Sequence, residues 1–290
     1  MPNEIGNTEL DVQIPELWLT LQDIIMPLYS KTRIPMRVRR FDDQARFYGD
    51  LIHVTQFPTM TVAAVGSDGT LSNQASTPTQ VNLDINQWRG NKISILNRAS
   101  KQANINALVA YAEAMKGALI HDVEDILLQN VADLTGTAAG DGVTPLNEEI
   151  LLAAYQSAMV AELADHFEDP ERMSFFLPSS EIASLYKQGF LRDYNVTGKE
   201  GGSALSILKE RAIWGVPAFF TTRLNDTTYA GNNIYQAALV AKEALSLAVQ
   251  KEVGIQQLPT EALARAYATD VLFGADASIL ARGFIIRAPR

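Results

Sequence analysis

The chain has 290 residues, 47% of them hydrophobic, with 33 acidic against 24 basic side chains and no cysteine. That length fits one large domain or two modest ones, and the apolar share supports a sizeable core. The lack of cysteine removes disulfides, zinc ribbons and thiol catalysis. A formal charge of −9 runs against tight, sequence-reading contact with DNA, which a basic surplus serves.

Residues Met1 to Leu10 are polar and slightly acidic, with no charged-then-apolar leader. No apolar run approaches the roughly 20 residues that cross a bilayer. The expectation is a soluble protein made in the cytoplasm, without a membrane partner.

Residues 1–46 read as an arm, broken by Pro15, Pro27 and Pro35. Leu17, Leu21 and Ile24/Ile25 share one face of a short helical stretch. A basic cluster follows, Lys31, Arg33, Arg37, Arg39 and Arg40, with little sign of a buried face between Arg37 and Arg40. Weak contact with nucleic acid, salt bridges to an acidic neighbour in an assembly, and a solvated loop all suit it. The net negative charge favours the second. Trp18, Trp88 and Trp214 are not interleaved with the arginines and read as core or interface anchors rather than base-stacking platforms.

Residues 47–96 read as an extended hairpin. A strand opens at Gly49-Asp50, runs through Leu51 to Thr55, is bent or confined to an edge by Pro58, and resumes at Met60. Small polar residues from Gly66 through Asp68 and Thr70 to Pro78 form the tip. On the return, Val81, Leu83 and Ile85 alternate with Gln80, Asn82, Asp84 and Asn86. A further extended piece runs from Lys92 to Leu96. Two strands of about 15 residues would reach about 50 Å at roughly 3.3 Å per residue. An isolated two-stranded hairpin is marginal in water, so its apolar face needs a partner surface, and none is evident locally.

Residues 104–135 predict one long helix, with Leu108, Ala112, Met115, Leu119, Val123 and Ile126 as its apolar stripe, Glu113, His121, Glu124 and Asp125 off it, and Gly136 as the stop. Gly136 to Gly142 reads as a loop, and Thr144-Pro145 as the cap and first residue of a second helix reaching about Asp165. A strand over Met173 to Leu177, a short helix opened by Pro178-Ser179-Ser180, and a Gly-rich loop from Asn195 to Ser203 follow. Strands are expected at Ile213 to Thr221, Ala237 to Val240, Leu245 to Val253 and Ala266 to Phe273, with an extended tail from Ile279 to Ile286. Helices and strands mix without regular βαβ alternation, so the class is α+β.

No chemical constellation emerges. His121 with Glu124 or Asp125 is one helical pair, and His53 and His166 have no metal pattern. Gly136 to Gly142 and Gly198 to Ser203 lack the Gly-Lys-Ser/Thr of a P-loop. No Gly-x-Ser-x-Gly elbow occurs. The expectation is a protein that is not an enzyme and carries no cofactor and no metal.

The order of these elements resembles the Hong Kong 97-type capsid fold of tailed-bacteriophage major capsid proteins. Tyr48 to Val54 is similar to the strand opening the family's extended loop, and Leu83 to Trp88 with Ile93-Ser94-Ile95 to its return. Asn104 to Leu134 resembles the spine helix, and Arg172 to Leu177 with Pro178 and Leu185 the axial-domain segment. Trp214-Gly215-Val216-Pro217-Ala218-Phe219 resembles a glycine-containing strand, and Tyr267 to Ala281 the C-terminal strand that returns to the peripheral domain.

The resemblance implies an arm (1–46), an extended loop (47–96), a peripheral domain with the spine helix (97–143), an axial domain (144–256) and a returning strand (257–290). It implies self-assembly into hexamers and pentamers of an icosahedral phage head. Intersubunit contacts would come from the loop tip, Gly66, Ser67, Asp68, Gly69 and Thr70, and from the arm, Trp18, Arg33, Arg37, Arg39 and Arg40. A portal protein and weakly held double-stranded DNA would be partners. Some relatives crosslink through a loop lysine; the tip here has none, so no such bond is expected. Only about 46 residues precede the loop, so a separate scaffolding protein is expected. An encapsulin-type compartment shares the fold and is the alternative; a soluble α+β enzyme would need the polar constellation that is missing.

Overall fold

The computed structural model describes residues 34–46, 49–56, 65, 77–96, 106–160, 172–187, 212–258 and 264–290. Two sheets organise the chain. The first has the order β1-β11-β12-β4, built from β1 (Arg39–Arg40), β4 (Gln87–Leu96), β11 (Leu245–Leu258) and β12 (Ala264–Ala277). β11 and β12 form a long antiparallel hairpin, and β4 pairs antiparallel with β12 from Gln87 opposite Phe273 to Leu96 opposite Ala264. β2 (Leu51–Gln56) and β3 (Thr79–Asp84) make a separate two-stranded sheet. The 87–96 segment, read from sequence as the far end of the hairpin's return, is thus a strand of the larger sheet.

The second sheet has seven strands. Its path runs β5 (Gly136–Ala139), β13 (Gly283–Pro289), β10 (Asn232–Ala241), β6 (Met173–Pro178), β8 (Val216–Thr221) and β7 (Ala212–Ile213), with β9 (Asp226–Tyr229) also on β10. Every residue of β6 is buried, as a strand flanked on both sides and packed on both faces requires. A short helix, α1 (Asp42–Ala45), sits beside β11. The long helix α2 (Asn106–Gln129) packs on β12 and β4, while α3 (Glu148–Val160) packs on β5 and β13; α4 (Ile182–Lys187) follows β6. The main core joins both sheets through Phe175, Phe176, Phe273 and Phe284, all essentially inaccessible.

Several local expectations change, each for a tertiary reason. The long helix ends at Gln129 and tightens into a 3-10 turn over Asn130–Asp133 rather than continuing to Thr135. Val131 and Leu134 are pulled into the core, and Thr135 N–H donates to the Leu280 carbonyl, 3.0 Å away. Gly136 then opens β5, parallel to β13, instead of a loop. Glu124 is buried at 5% exposure and lies 3.5 Å from His121 Nδ1. That carboxylate is not on a solvated face as its place off the apolar stripe implied.

The turn between β7 and β8 is another difference. Trp214 and Gly215 both take positive φ, 51° and 81°, so Ile213 to Thr221 is a tight hairpin and not one strand. Two consecutive positive-φ residues match the twist of the flanking strands, and glycine supplies the second without strain. Ala230 and Gly231 repeat the device between β9 and β10, a hairpin the sequence reading passed over. The Gly-rich stretch from Asn195 to Ser203 lies outside the described residues.

Thr144 does not cap α3. The Asp141 carboxylate, a stronger acceptor, takes hydrogen bonds from the backbone N–H groups of Val143 and Thr144 and from the Thr144 hydroxyl, at 2.8–2.9 Å. The cap passes to Asn147, whose Oδ1 accepts from Ile150 N–H at 2.8 Å. The connection is pinned by the buried Glu181, which accepts from Leu146 N–H at 3.0 Å.

The donors at Thr144 and Val143 lower the Asp141 pKa from 3.8 to about 2. A carboxylate with a depressed folded-state pKa contributes stability that is complete above about pH 4 and lost as the pH falls through about 2. Asp141→Ala is therefore expected to lower the urea midpoint at pH 7 and to match the parent chain below pH 2. Unequal midpoints at the acid end would contradict this.

Candidate assembly interface

The root of the β2–β3 hairpin is built from alternation. Leu51 pairs with Asp84, Ile52 with Leu83 and Val54 with Val81. This register puts Ile52, Val54, Leu83 and Ile85 on one face, each at 4% exposure or less. The expectation that no local surface would receive that face is corrected here. Phe41 and Ala45 from α1 and its flank, Ala248 from β11 and the partly buried Leu272 from β12 cover it. Ile85 N–H closes the ladder on the Asp50 carbonyl at 2.8 Å.

The arm residues nearest the hairpin make this cover possible. β1 runs parallel to β11, with Arg39 opposite Ser246 and Arg40 opposite Leu247. Phe41 N–H donates to the Leu247 carbonyl at 3.0 Å, and Asp42 Oδ1 accepts from Val249 N–H at 2.9 Å. Val38 is fully buried among them, so the Arg37–Arg40 stretch does have an inward face. Arg37 lies 5.6 Å over the Phe219 ring, and Arg39 lies 4.7 Å over Phe41. Arg40 pairs with Asp42 at 2.5 Å and reaches Met36 Sδ. These three arginines are engaged within their own chain. Trp18, Arg33 and the tip residues Gly66, Ser67, Asp68, Gly69 and Thr70 lie outside the described residues; Val65, beside the tip, is exposed.

Two features had no signal in the sequence. At the hairpin root, burial raises the Asp276 pKa; the Ala277 N–H hydrogen bond opposes this, and the charges of Asp133 and Asp84 add to it. Farther along the sheet, Trp88 Nε1 donates to Asp270 Oδ2 at 3.0 Å, and Lys251 Nζ meets the same oxygen at 2.5 Å. Burial works against the Asp270 charge, but the hydrogen bonds from Lys251 and Trp88 and the Lys251 charge outweigh it and lower the pKa. The three residues come from three strands, and Trp88 is separated from Asp270 by 182 positions. No short-range pattern could have joined them. Trp214 is half-buried at the edge of the core, its ring 5.5 Å from that of Tyr155, whereas Trp88 is 75% exposed.

With this geometry in view, comparison with solved structures is decisive for the fold. A structure from Mycobacterium phage Che8 has a TM-score of 0.59 at 17% identity, over 86% of this chain and 89% of that one. The capsid of Ralstonia phage GP4 gives 0.59 at 11% identity, over 87% of each chain. A virus-like particle from Pyrococcus furiosus gives 0.58 at 13% identity, over 94% of this chain and 98% of that one.

The fold is the Hong Kong 97-type capsid fold. No protein-family model matches the sequence, and no curated protein matches it significantly. The β2–β3 pair and the long helix α2 follow one another in the chain order expected of the extended loop and the spine helix. Among the described residues, no cluster of three or more His, Asp or Glu side chains suits a metal. No described helix is long and apolar enough to cross a membrane.

The root depends on close approach at Gly274, where a Cβ would run into the Asp84 carbonyl oxygen, while Gly49 has open space. Backbone cannot yield as a flexible side-chain end can. Gly274→Ala is expected to destabilise the chain by about 1–3 kcal/mol in urea unfolding, with Gly49→Ala near neutral. Equal midpoints for the two variants would remove the close-packing argument.

Proposed function

We propose that this chain is a major capsid protein that assembles into hexamers and pentamers of an icosahedral phage head enclosing double-stranded DNA. The observation that carries the reading is the capsid fold shared over most of the chain with structures from phage particles. A second support is the hairpin. Its described root is packed within the chain, and 22 residues, from Phe57 to Pro78, connect its two described strands. At about 3.3 Å per residue, that is enough chain for two strands of about 36 Å.

On this reading the role is structural and not catalytic, and the location is the virion. The tip residues Gly66, Ser67, Asp68, Gly69 and Thr70, with Trp18 and Arg33 of the arm, contact neighbouring subunits. Arg37, Arg39 and Arg40 support that arm through their contacts with Phe219, Phe41 and Asp42. A separate scaffolding protein and a portal are the assembly partners. An excess of 33 acidic over 24 basic residues keeps contact with packaged DNA weak and non-specific.

Negative-stain microscopy of the expressed protein is expected to show polyhedral shells, capsomers or tubes. A monodisperse monomer that persists at high concentration would sink the proposal. The segment Gly66 to Pro78 contains no lysine, so purified shells should dissociate to single chains in hot detergent. A ladder of covalent multimers would contradict non-covalent gripping by the tip.

A further inference from the structure

At three places where the chain leaves one sheet or helix for the next, the element closes on a carboxylate. Asp84 is the last residue of β3, from which the chain passes to β4. Asp133 is the last residue of the 3-10 turn after α2, from which it passes to β5. Asp276 is the last residue but one of β12, from which it passes to β13. β12 touches both β3 and the 3-10 turn. Gly274, two residues before Asp276, lies directly against the Asp84 backbone. One junction therefore joins the hairpin root, the end of α2 and the exit from the four-stranded sheet toward the seven-stranded one.

Among the described residues no Lys, Arg or His pairs with any of the three carboxylates. The cross-strand neighbour of Asp276 is the neutral, fully buried Ser246, whose hydroxyl is bonded to that of Ser278. Beyond Ser246, on β1, Arg39 lies over the Phe41 ring. Past the end of β12, Arg282 is held by Glu243. Asp50, whose carbonyl receives Ile85 N–H beside Asp84, adds another acidic group. Three backbone hydrogen bonds cross the junction: Ile85 N–H to the Asp50 carbonyl at 2.8 Å, Thr135 N–H to the Leu280 carbonyl at 3.0 Å, and Ser278 N–H to the Ala244 carbonyl at 2.8 Å.

We propose that Asp84, Asp133 and Asp276 form an acid-relieved electrostatic spring, a device that loads this junction at neutral pH and lets it tighten when Asp276 takes up a proton. Asp276 is the member that takes the proton, because it is half-buried while Asp84 and Asp133 are exposed. Burial holds its pKa above 3.8, and the charges of Asp133 and Asp84 add to this against the Ala277 N–H bond. For a carboxyl whose folded-state pKa is raised, the cost of the charge is full above that pKa and vanishes below the unfolded value of 3.8. The junction thus gains stability as the pH falls through this window. Asp141, with its lowered pKa, acts with the opposite sign and at lower pH. The spring works within one chain and does not depend on the shell-forming reading.

Asp276→Asn in the full chain keeps the oxygen that accepts from Ala277 N–H. Its urea midpoint at pH 7 is expected to exceed that of the parent, and the gap to close by about pH 4. Asp84→Asn and Asp133→Asn should each raise the midpoint at pH 7 as well. Either one combined with Asp276→Asn should gain less than the sum of the two. Hydrogen exchange supplies the local readout. After correction for intrinsic rates, the Ile85, Thr135 and Ser278 amides of the parent should exchange several-fold more slowly near pH 4 than at pH 7. In Asp276→Asn they should be equally slow at both. Glu149→Gln, exposed on α3, should behave as the parent does.

An Asp276→Asn midpoint at pH 7 no higher than that of the parent overturns the inference, as do strictly additive double variants. Parent amides whose protection is the same at both pH values also overturn it. Protection that rises on adding calcium at pH 7, but not on acidification, would assign the carboxylates to a bound cation and defeat the proposal.

Discussion

The structure depends on how one apolar hairpin face is kept out of water. Two strands alone bury too little to persist. Here Ile52, Val54, Leu83 and Ile85 lie on a surface assembled from both ends of the chain, Phe41 and Ala45 on one side and Ala248 and Leu272 on the other. That surface exists only because β1 is sewn to β11 and Asp42 caps the Val249 N–H. The basic stretch ahead of the hairpin is therefore part of the foundation. Arg37 and Arg39 lie against rings and Arg40 against a carboxylate, and Val38 is buried between them.

From that foundation the molecule divides its tasks. β12 carries the hairpin root on one face and the long helix α2 on the other. The seven-stranded sheet buries the aromatic core around Phe175 and Phe176. The exposed Trp88, oriented by Asp270 and Lys251, lies where the covered part of the face ends.

Much of this was legible in the sequence wherever a pattern is local. The alternation through Val81, Leu83 and Ile85 gave the correct inward face, and the 4-3 spacing of Leu119, Val123 and Ile126 located the long helix α2. The Pro178-Ser179-Ser180 break marked the end of a wholly buried strand. What was not legible was set by partners far away in the chain. Gly136 looked like a helix stop and a loop, but pairing with Phe284 makes it a strand. Thr144-Pro145 looked like a helix start, but the Asp141 carboxylate is the better use of Thr144. Trp214-Gly215 read as strand because the tight turn places a tryptophan at positive φ, which propensity does not anticipate. The Trp88, Asp270 and Lys251 triad spans three strands and has no sequence signature at all.

The pairing of distant segments also sets an order of events during synthesis. Arg39 pairs with Ser246, Trp88 with Leu272 and Gly136 with Phe284. Neither sheet can close until the last quarter of the chain has emerged. Such long-range pairing makes folding slow and leaves apolar strands open while it waits. The platform under the hairpin is among the last parts to be completed. The root of the hairpin therefore has no seat until the C-terminal strands that carry Ala248 and Leu272 are in place.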